Sequence, residues 1–179
     1  MGGSHGGYIG AWLATGCTSK YPSEEPRKLK SQSESPGDRC PFAGLILINP
    51  VTDLTLLLCN SDIPEWATNE AGLPLAGDFS KLTTAKQYDE LWVRSPIRAA
   101  PMARRRLLIL VGLEDRRVPP LNGIRFSQSI SGIAPKLLCF PGEGHALDGV
   151  RAQHALVVAI TRFLHGINFQ PATSNNDLN

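Results

Sequence analysis

Three short apolar runs limit the folds that this chain can adopt. They cover Ala43–Asn49, Leu107–Val111 and Lys136–Phe140, and each is followed at once by Pro or Gly. Continuous runs of this length are typical of strands buried on both faces of a parallel sheet. Helical patterns lie between and after them, at Pro119–Ser131 and Asp148–His165. The alternation predicts an α/β fold, with a mostly parallel sheet flanked by helices.

Polar segments define the predicted domain organisation. Residues 22–41 are rich in Ser, Glu, Lys, Arg and Pro without an apolar period, so we expect a flexible surface insertion there. Residues 170–179 are polar and are predicted to form a disordered tail. A length of 179 residues suits one domain, which we place at residues 1–169.

Charge and cysteine usage exclude several functional classes. The 18 basic residues nearly balance the 16 acidic ones, and a net charge of +2 does not indicate a nucleic-acid or membrane-surface partner. Apolar runs are too short to span a membrane. The 4 cysteines are scattered without metal-binding spacing, which predicts no metal site and favours a reducing, cytoplasmic setting.

The first candidate for chemistry is a serine in a glycine-rich turn. Gly2–Gly6 reads Gly-Gly-Ser-His-Gly, which fits the G-x-S-x-G pattern of a nucleophile on a sharp strand-to-helix turn. A helix predicted over Tyr8–Cys17 would point its N-terminus at Ser4, and the backbone N–H of His5 would stabilise an oxyanion. The pattern alone fits a glycine-rich turn with a capping serine equally well.

Two later loops contain the partners that a serine nucleophile requires. A histidine must accept the serine proton, and an acid must hold the histidine tautomer. Asp115 and His145 each follow a predicted strand, in the chain order serine, acid, histidine that this type of sheet uses. The alternative is a loop acid paired with Arg116 or Arg117 and a histidine that faces solvent.

Other residues compete for these roles less well. Glu114 adjoins Asp115 and stays open as the acid. His5 is too close to Ser4 in the chain to act as its base, so we expect it to shape the turn. His154 and His165 fall on the last predicted helix, where a solvated or half-buried histidine is the ordinary case.

Several short blocks resemble a known family of serine peptidases. Gly2–Gly7, Glu114–Pro119 and His145–Leu147 resemble the nucleophile, aspartate and histidine loops of the prolyl oligopeptidase family. Further blocks are similar to the acylaminoacyl-peptidase (acylpeptide hydrolase) branch of that family, and they lie at Asn49–Val51, Ser61–Trp66, Glu70–Gly72 and Ser95–Arg98. The resemblance runs from Met1 to about Gly166 and implies an α/β-hydrolase fold.

The resemblance also implies a function. Members of this branch are cytosolic enzymes that remove an N-acylated amino acid from the front of a short peptide. By analogy, Ser4 would form an acyl-enzyme with His145 as base and Asp115 as orienting acid. No metal or organic cofactor is implied.

The chain departs from the family pattern in ways that bear on activity. Family members carry an N-terminal β-propeller, earlier hydrolase strands and a loop that supplies a second oxyanion donor, and we expect none of these three in this chain. We therefore expect the C-terminal part of a catalytic domain, with no strand before Ser4. A plain esterase and a truncated, inactive fragment remain alternatives. Self-association and pairing with a complementing N-terminal part are both open.

Overall fold

A parallel sheet forms the centre of the fold. The computed structural model describes residues 1–16, 40–73 and 84–166. Within these residues the sheet has four strands in chain order, with every neighbouring pair parallel. The strands are β1 (Gly2–Gly3), β2 (Gly44–Ile48), β3 (Arg106–Gly112) and β4 (Lys136–Phe140). This arrangement confirms the predicted α/β fold.

Six α-helices accompany the sheet in the described parts of the chain, and a 3₁₀ helix precedes β3. The α-helices are α1 (His5–Ala14), α2 (Leu54–Asn60), α3 (Pro64–Glu70), α4 (Ala85–Val93), α5 (Leu121–Ser129) and α6 (Val150–Leu164), and the 3₁₀ helix is Pro96–Met102. None of the helices in the described residues is long and apolar enough to cross a membrane.

The two central strands are buried on both faces, as their unbroken apolar sequence predicts. Leu45 and Leu47 of β2 pack in one cluster with residues of α1, α5 and the 3₁₀ helix. Ile46 lies in the opposite cluster, with Ala152 and Ala159 of α6. Because successive strand residues point to opposite faces, one apolar run supplies both halves of the core.

A third apolar cluster lies beside the carboxyl ends of the strands. It joins α2, α3 and α4 through buried Leu57, Ala67 and Leu91. A buried amide fixes this layer, because the Asn122 side-chain oxygen accepts hydrogen bonds from two consecutive backbone N–H groups at Thr52 and Asp53, at 3.0 and 2.8 Å. Asn122 therefore joins α5 to the segment between β2 and α2.

The start of the fold differs from the sequence prediction. We expected no strand before Ser4, but β1 pairs with β2 through Gly2 and Gly3. The first helix begins at His5 rather than at Tyr8. The serine therefore lies between a strand and a helix with no intervening residue.

Two predicted segments fall mostly or wholly outside the described residues. The proposed tail at 170–179 lies outside them, and so does the insertion at 22–41 except for its last two residues. Of these two, Cys40 is buried in the cluster that contains α1 and α5.

Candidate active site

Ser4 occupies a strained turn between β1 and α1. Its backbone has φ 53° and ψ −118°, in the positive-φ region that non-glycine residues rarely adopt. Such a residue costs on the order of 1–3 kcal/mol and persists only where the surrounding structure holds it. The Ser4 N–H donates to the Ile48 carbonyl at 2.9 Å, which ties the turn to the end of β2. This is the geometry expected of a nucleophile turn.

Glycines make the turn possible by allowing close backbone contacts. A Cβ added to Gly2 would lie 2.3 Å from the Gly6 carbonyl oxygen. One added to Gly7 would lie 2.7 Å from the Pro50 Cα, whereas the Cβ position of Gly6 has no neighbouring atom within 4 Å. The glycines on either side of Ser4 therefore set how tightly the strand, the turn and the helix pack.

This difference gives a matched pair of substitutions. Gly7→Ala should lower the free energy of unfolding by about 1–3 kcal/mol, because its methyl group overlaps the Pro50 backbone. Gly6→Ala should leave stability unchanged or raise it by up to about 1 kcal/mol, since alanine favours the helix and meets nothing. Urea unfolding followed by circular dichroism measures both. Equal effects would contradict the close approach at Gly7.

Asp115 and His145 are brought together by the loops after β3 and β4. The His145 Nδ1 lies 2.7 Å from the Asp115 Oδ2. The Asp115 side chain is fully buried, and 33% of the His145 side chain is exposed. The other carboxylate oxygen accepts hydrogen bonds from the N–H groups of Arg117 and Val118, at 2.8 and 2.9 Å. The acid is thus held in place before it orients the imidazole.

This contact decides which imidazole nitrogen is basic. A carboxylate can only accept a hydrogen bond, so an ionised Asp115 would require the proton to lie on the His145 Nδ1. The Nε2 would then have a free lone pair for a proton from a nucleophile. The contact therefore suits the predicted roles of Asp115 and His145.

In the described residues, no ion pair joins the Asp115 carboxylate to Arg116 or Arg117. The Arg117 Nε donates to the Asp62 Oδ1 at 2.7 Å, and this hydrogen bond raises the pKa of the Arg117 guanidinium. The guanidinium is therefore satisfied away from Asp115. The carboxylate of Asp115 stays directed at His145.

The loop that carries His145 is fixed by hydrogen bonds on both sides. The Glu143 carboxylate accepts from the Gly149 N–H at 3.1 Å. Leu147 is fully buried with φ 49°, and its carbonyl accepts from the Gln153 side chain at 2.5 Å. The Glu143 carbonyl accepts from the Glu114 N–H at 2.9 Å, which joins this loop to the Asp115 loop.

The rival residues lie apart from this arrangement. The Glu114 side chain is exposed and contributes only its backbone N–H, so Asp115 is the acid that contacts His145. His154 and His165 are exposed on and after α6, as expected of solvated histidines.

Ser4 lies at the same edge of the sheet, although among the described residues no hydrogen bond joins its hydroxyl to His145. Hydrogen bonds between catalytic groups are often long in a free enzyme and tighten with substrate. Ser4 follows β1 directly, and Asp115 and His145 follow β3 and β4. Parallel strands place all three loops at the carboxyl edge of the sheet.

His5 begins α1, next to Ser4. The first N–H groups of a helix have no intrahelical acceptor, so the His5 N–H is available to an oxyanion. Its imidazole is directed to α3, where the Nε2 lies 3.4 Å from a Glu70 carboxylate oxygen. The ring also meets the Trp66 ring edge-on, with centroids 5.3 Å apart. The backbone role of His5 stays a prediction.

Residues missed by the sequence analysis hold the loops rather than react. The side chains of Glu143, Gln153 and Asn49 each bond to the backbone of the loop that carries His145. Their sequence signal is weak, since Glu143 is marked only by following a predicted strand and Asn49 only by the short block Asn49–Val51 that resembles the family. In the described parts of the chain, no group of three or more His, Cys, Asp or Glu side chains is arranged to hold a metal ion.

The parallel sheet, the strained serine turn and the Asp–His pair define the class of protein as an α/β hydrolase. The profile of the prolyl oligopeptidase family matches residues 38–167. The chain belongs to that family, whose members are serine peptidases, and the predicted resemblance is confirmed.

Individual relatives agree with this assignment. The acylamino-acid-releasing enzyme of Homo sapiens is 31% identical over 155 residues, covering 86% of this chain and 18% of that protein. The acylaminoacyl peptidase of Pyrococcus horikoshii superposes with a TM-score of 0.57 at 19% identity, covering 90% of this chain and 22% of that chain. An acetyl xylan esterase from Paenibacillus sp. R4 superposes with a TM-score of 0.63 at 16% identity, covering 94% of this chain and 44% of that chain. The two structural likenesses show the fold alone. The chain spans about a fifth of the length of the curated relatives it matches.

Proposed function

We propose that this chain carries the catalytic residues of a serine peptidase that releases an N-acylated amino acid from the front of a peptide. Ser4 is the nucleophile, His145 the base and Asp115 the orienting acid. The observation that carries the proposal is the 2.7 Å contact between the His145 Nδ1 and a fully buried Asp115 carboxylate. It lies at the same edge of the sheet as a serine in a strained turn.

The first step forms an acyl-enzyme. The Ser4 oxygen attacks the carbonyl carbon of the first peptide bond while the His145 Nε2 takes the hydroxyl proton. The His5 N–H, at the positive end of the α1 dipole, stabilises the oxyanion. The carbon–nitrogen bond then breaks, and the proton passes from Nε2 to the departing amine.

The second step frees the acylamino acid. Water attacks the ester carbonyl and gives its proton to the His145 Nε2. Cleavage of the ester bond returns that proton to the Ser4 oxygen. Asp115 stabilises the imidazolium in both steps because its carboxylate is fixed by the N–H groups of Arg117 and Val118.

The relatives support the proposed substrate class. The human protein with 31% identity is named for releasing acylamino acids, and its match covers most of this chain. The similarity to an acetyl xylan esterase rests on fold alone, at 16% identity. An acylated amino-acid amide is therefore the first substrate to test, with a simple ester as the alternative.

Three substrates distinguish the proposal from its alternatives. We expect the purified chain to hydrolyse acetyl-alanine p-nitroanilide and to leave alanine p-nitroanilide, with its free amine, intact. Cleavage of p-nitrophenyl acetate without the acetylated anilide would favour an esterase. A folded sample that cleaves none of the three and is not labelled by a fluorophosphonate would show an inactive fragment.

Location and assembly are part of the proposal. The cysteines in the described residues, Cys40, Cys59 and Cys139, are free thiols, which supports a cytoplasmic setting. Light scattering of the chain alone tests self-association. The same measurement after addition of an N-terminal part tests complementation.

A further inference from the structure

Asn49, the residue directly after β2, connects the loops that follow β3 and β4. Its side-chain Nδ2 donates to the His145 carbonyl at 2.9 Å. Its Oδ1 accepts from the Gly112 N–H at 2.8 Å, at the end of β3. Its own N–H donates to the Leu110 carbonyl at 2.8 Å. One buried side chain thus bridges the end of β3, which precedes Asp115, and the loop that carries His145.

The conformation of Asn49 explains why asparagine suits this position. The residue is 2% exposed and has φ 42°. Asparagine adopts positive φ more readily than most residues with a side chain. Its amide oxygen accepts one hydrogen bond and its NH₂ group donates one, so both ends of the buried amide have a partner.

The end of β2 also forms a hydrogen bond with the backbone of Ser4. The Ser4 N–H donates to the carbonyl of Ile48, the residue before Asn49. The end of β2 is therefore bonded to the serine turn through Ile48 and to the His145 backbone through Asn49. These two contacts set the separation between the loop of the base and the turn of the nucleophile.

We infer that Asn49 is a positioning residue, which fixes the backbone of His145 relative to the turn that carries Ser4. The inference rests on the proposed function, because it concerns how His145, the proposed base, is positioned. Asn49 does not touch the reacting atoms and acts through the backbone of His145. Removing it should misplace the imidazole while Ser4, Asp115 and His145 are all still present.

Two variants test the two hydrogen bonds of the Asn49 side chain. Asn49→Gly permits positive φ and removes both side-chain bonds. Asn49→Asp keeps an acceptor for the Gly112 N–H and loses the donor to the His145 carbonyl. We expect both variants to lower the first-order constant of fluorophosphonate labelling by about 10²-fold, the cost of a misplacement near 1 Å. The apparent binding constant of the probe should not change.

Asn122→Ala is the matched control. Asn122 is equally buried and bonds to the backbone of Thr52 and Asp53, without contact to the three proposed catalytic residues in the described structure. Its loss should lower stability and leave the labelling constant at the wild-type value. A general loss of packing would instead slow labelling in all three variants.

A second readout does not depend on activity. The proton on the His145 Nδ1, in its 2.7 Å contact with Asp115, should give a low-field proton NMR resonance that His145→Ala removes. In Asn49→Gly and Asn49→Asp that resonance should shift or exchange faster with water, and in Asn122→Ala it should not. If wild-type protein shows the resonance but is not labelled, the proposed function fails while the positioning role is still tested. Unchanged resonance and labelling in a folded Asn49→Asp variant would overturn the inference.

Discussion

Replacing Ser4 with alanine is expected to abolish fluorophosphonate labelling and to reduce hydrolysis of acetyl-alanine p-nitroanilide by about 10⁶-fold, the loss typical of removing the nucleophile of such a site. The reaction needs an oxygen that forms the acyl-enzyme, and the strained turn places that oxygen at the start of α1. Alanine adopts this backbone conformation about as readily as serine does, so the fold should persist. Gel fluorescence of the labelled protein and a continuous absorbance assay measure the two effects.

Ser129→Ala serves as the control for that experiment. Ser129 is half-buried at the end of α5, and its hydroxyl donates to the carbonyl of Arg125, one turn earlier. Its loss should change neither readout. If Ser4→Ala kept wild-type labelling, the probe would be reacting at another hydroxyl and the proposed nucleophile would be wrong.

Asp115→Asn should lower the rate by about 10⁴-fold, the loss seen when the acid of such a triad is replaced by its amide. The asparagine oxygen would still accept from the N–H groups of Arg117 and Val118, which fixes the amide orientation. The NH₂ group would then face the His145 Nδ1 and require that nitrogen to be the acceptor. The imidazole proton would move to Nε2, which could no longer accept the Ser4 proton.

Glu114→Gln tests the neighbouring acid in the same assay. The Glu114 side chain is exposed, and only its backbone joins the loop network. We expect its rate to match that of the wild type. A large loss in Glu114→Gln together with a normal rate in Asp115→Asn would exchange the roles of the two acids.

The sheet was predictable because burial on both faces leaves a continuous apolar run. The run at Lys136–Phe140 matches β4 at both ends, and the other two runs match β2 and β3 to within one residue at each end. Parallel strands of this kind carry their signal in the local sequence. Their order in the sheet followed only from the structure, since apolar runs do not specify their neighbours.

The beginning of the chain could not be predicted in the same way. β1 consists of two glycines, which have no apolar pattern, and it exists because Gly2 and Gly3 pair with β2. Two further glycines follow His5, and glycine is a poor helix former, so propensity delayed the predicted start of α1 to Tyr8. Tertiary contacts with β2 and Pro50 decide both boundaries.

The candidate site shows the same division. Asp115 and His145 were found because each follows a buried strand, and strand ends converge in a parallel sheet. Only the structure distinguished Asp115 from Glu114 as the acid that contacts His145, since adjacent residues share the same sequence context. The contact of Asn49 with His145 joins residues 96 positions apart, and no local pattern encodes such a pair.

The strands are neighbours in the sheet in the same order in which they occur in the chain. A ribosome therefore makes the Ser4 turn first and the loop of His145 only after β4. We expect each new strand to add to the edge left by the one before it, since the strands pair in chain order and pairing across such sequence separations is slow. Throughout that time the serine has no base beside it. We therefore expect the growing polypeptide to lack the proposed activity until β4 and the loop after it are in place.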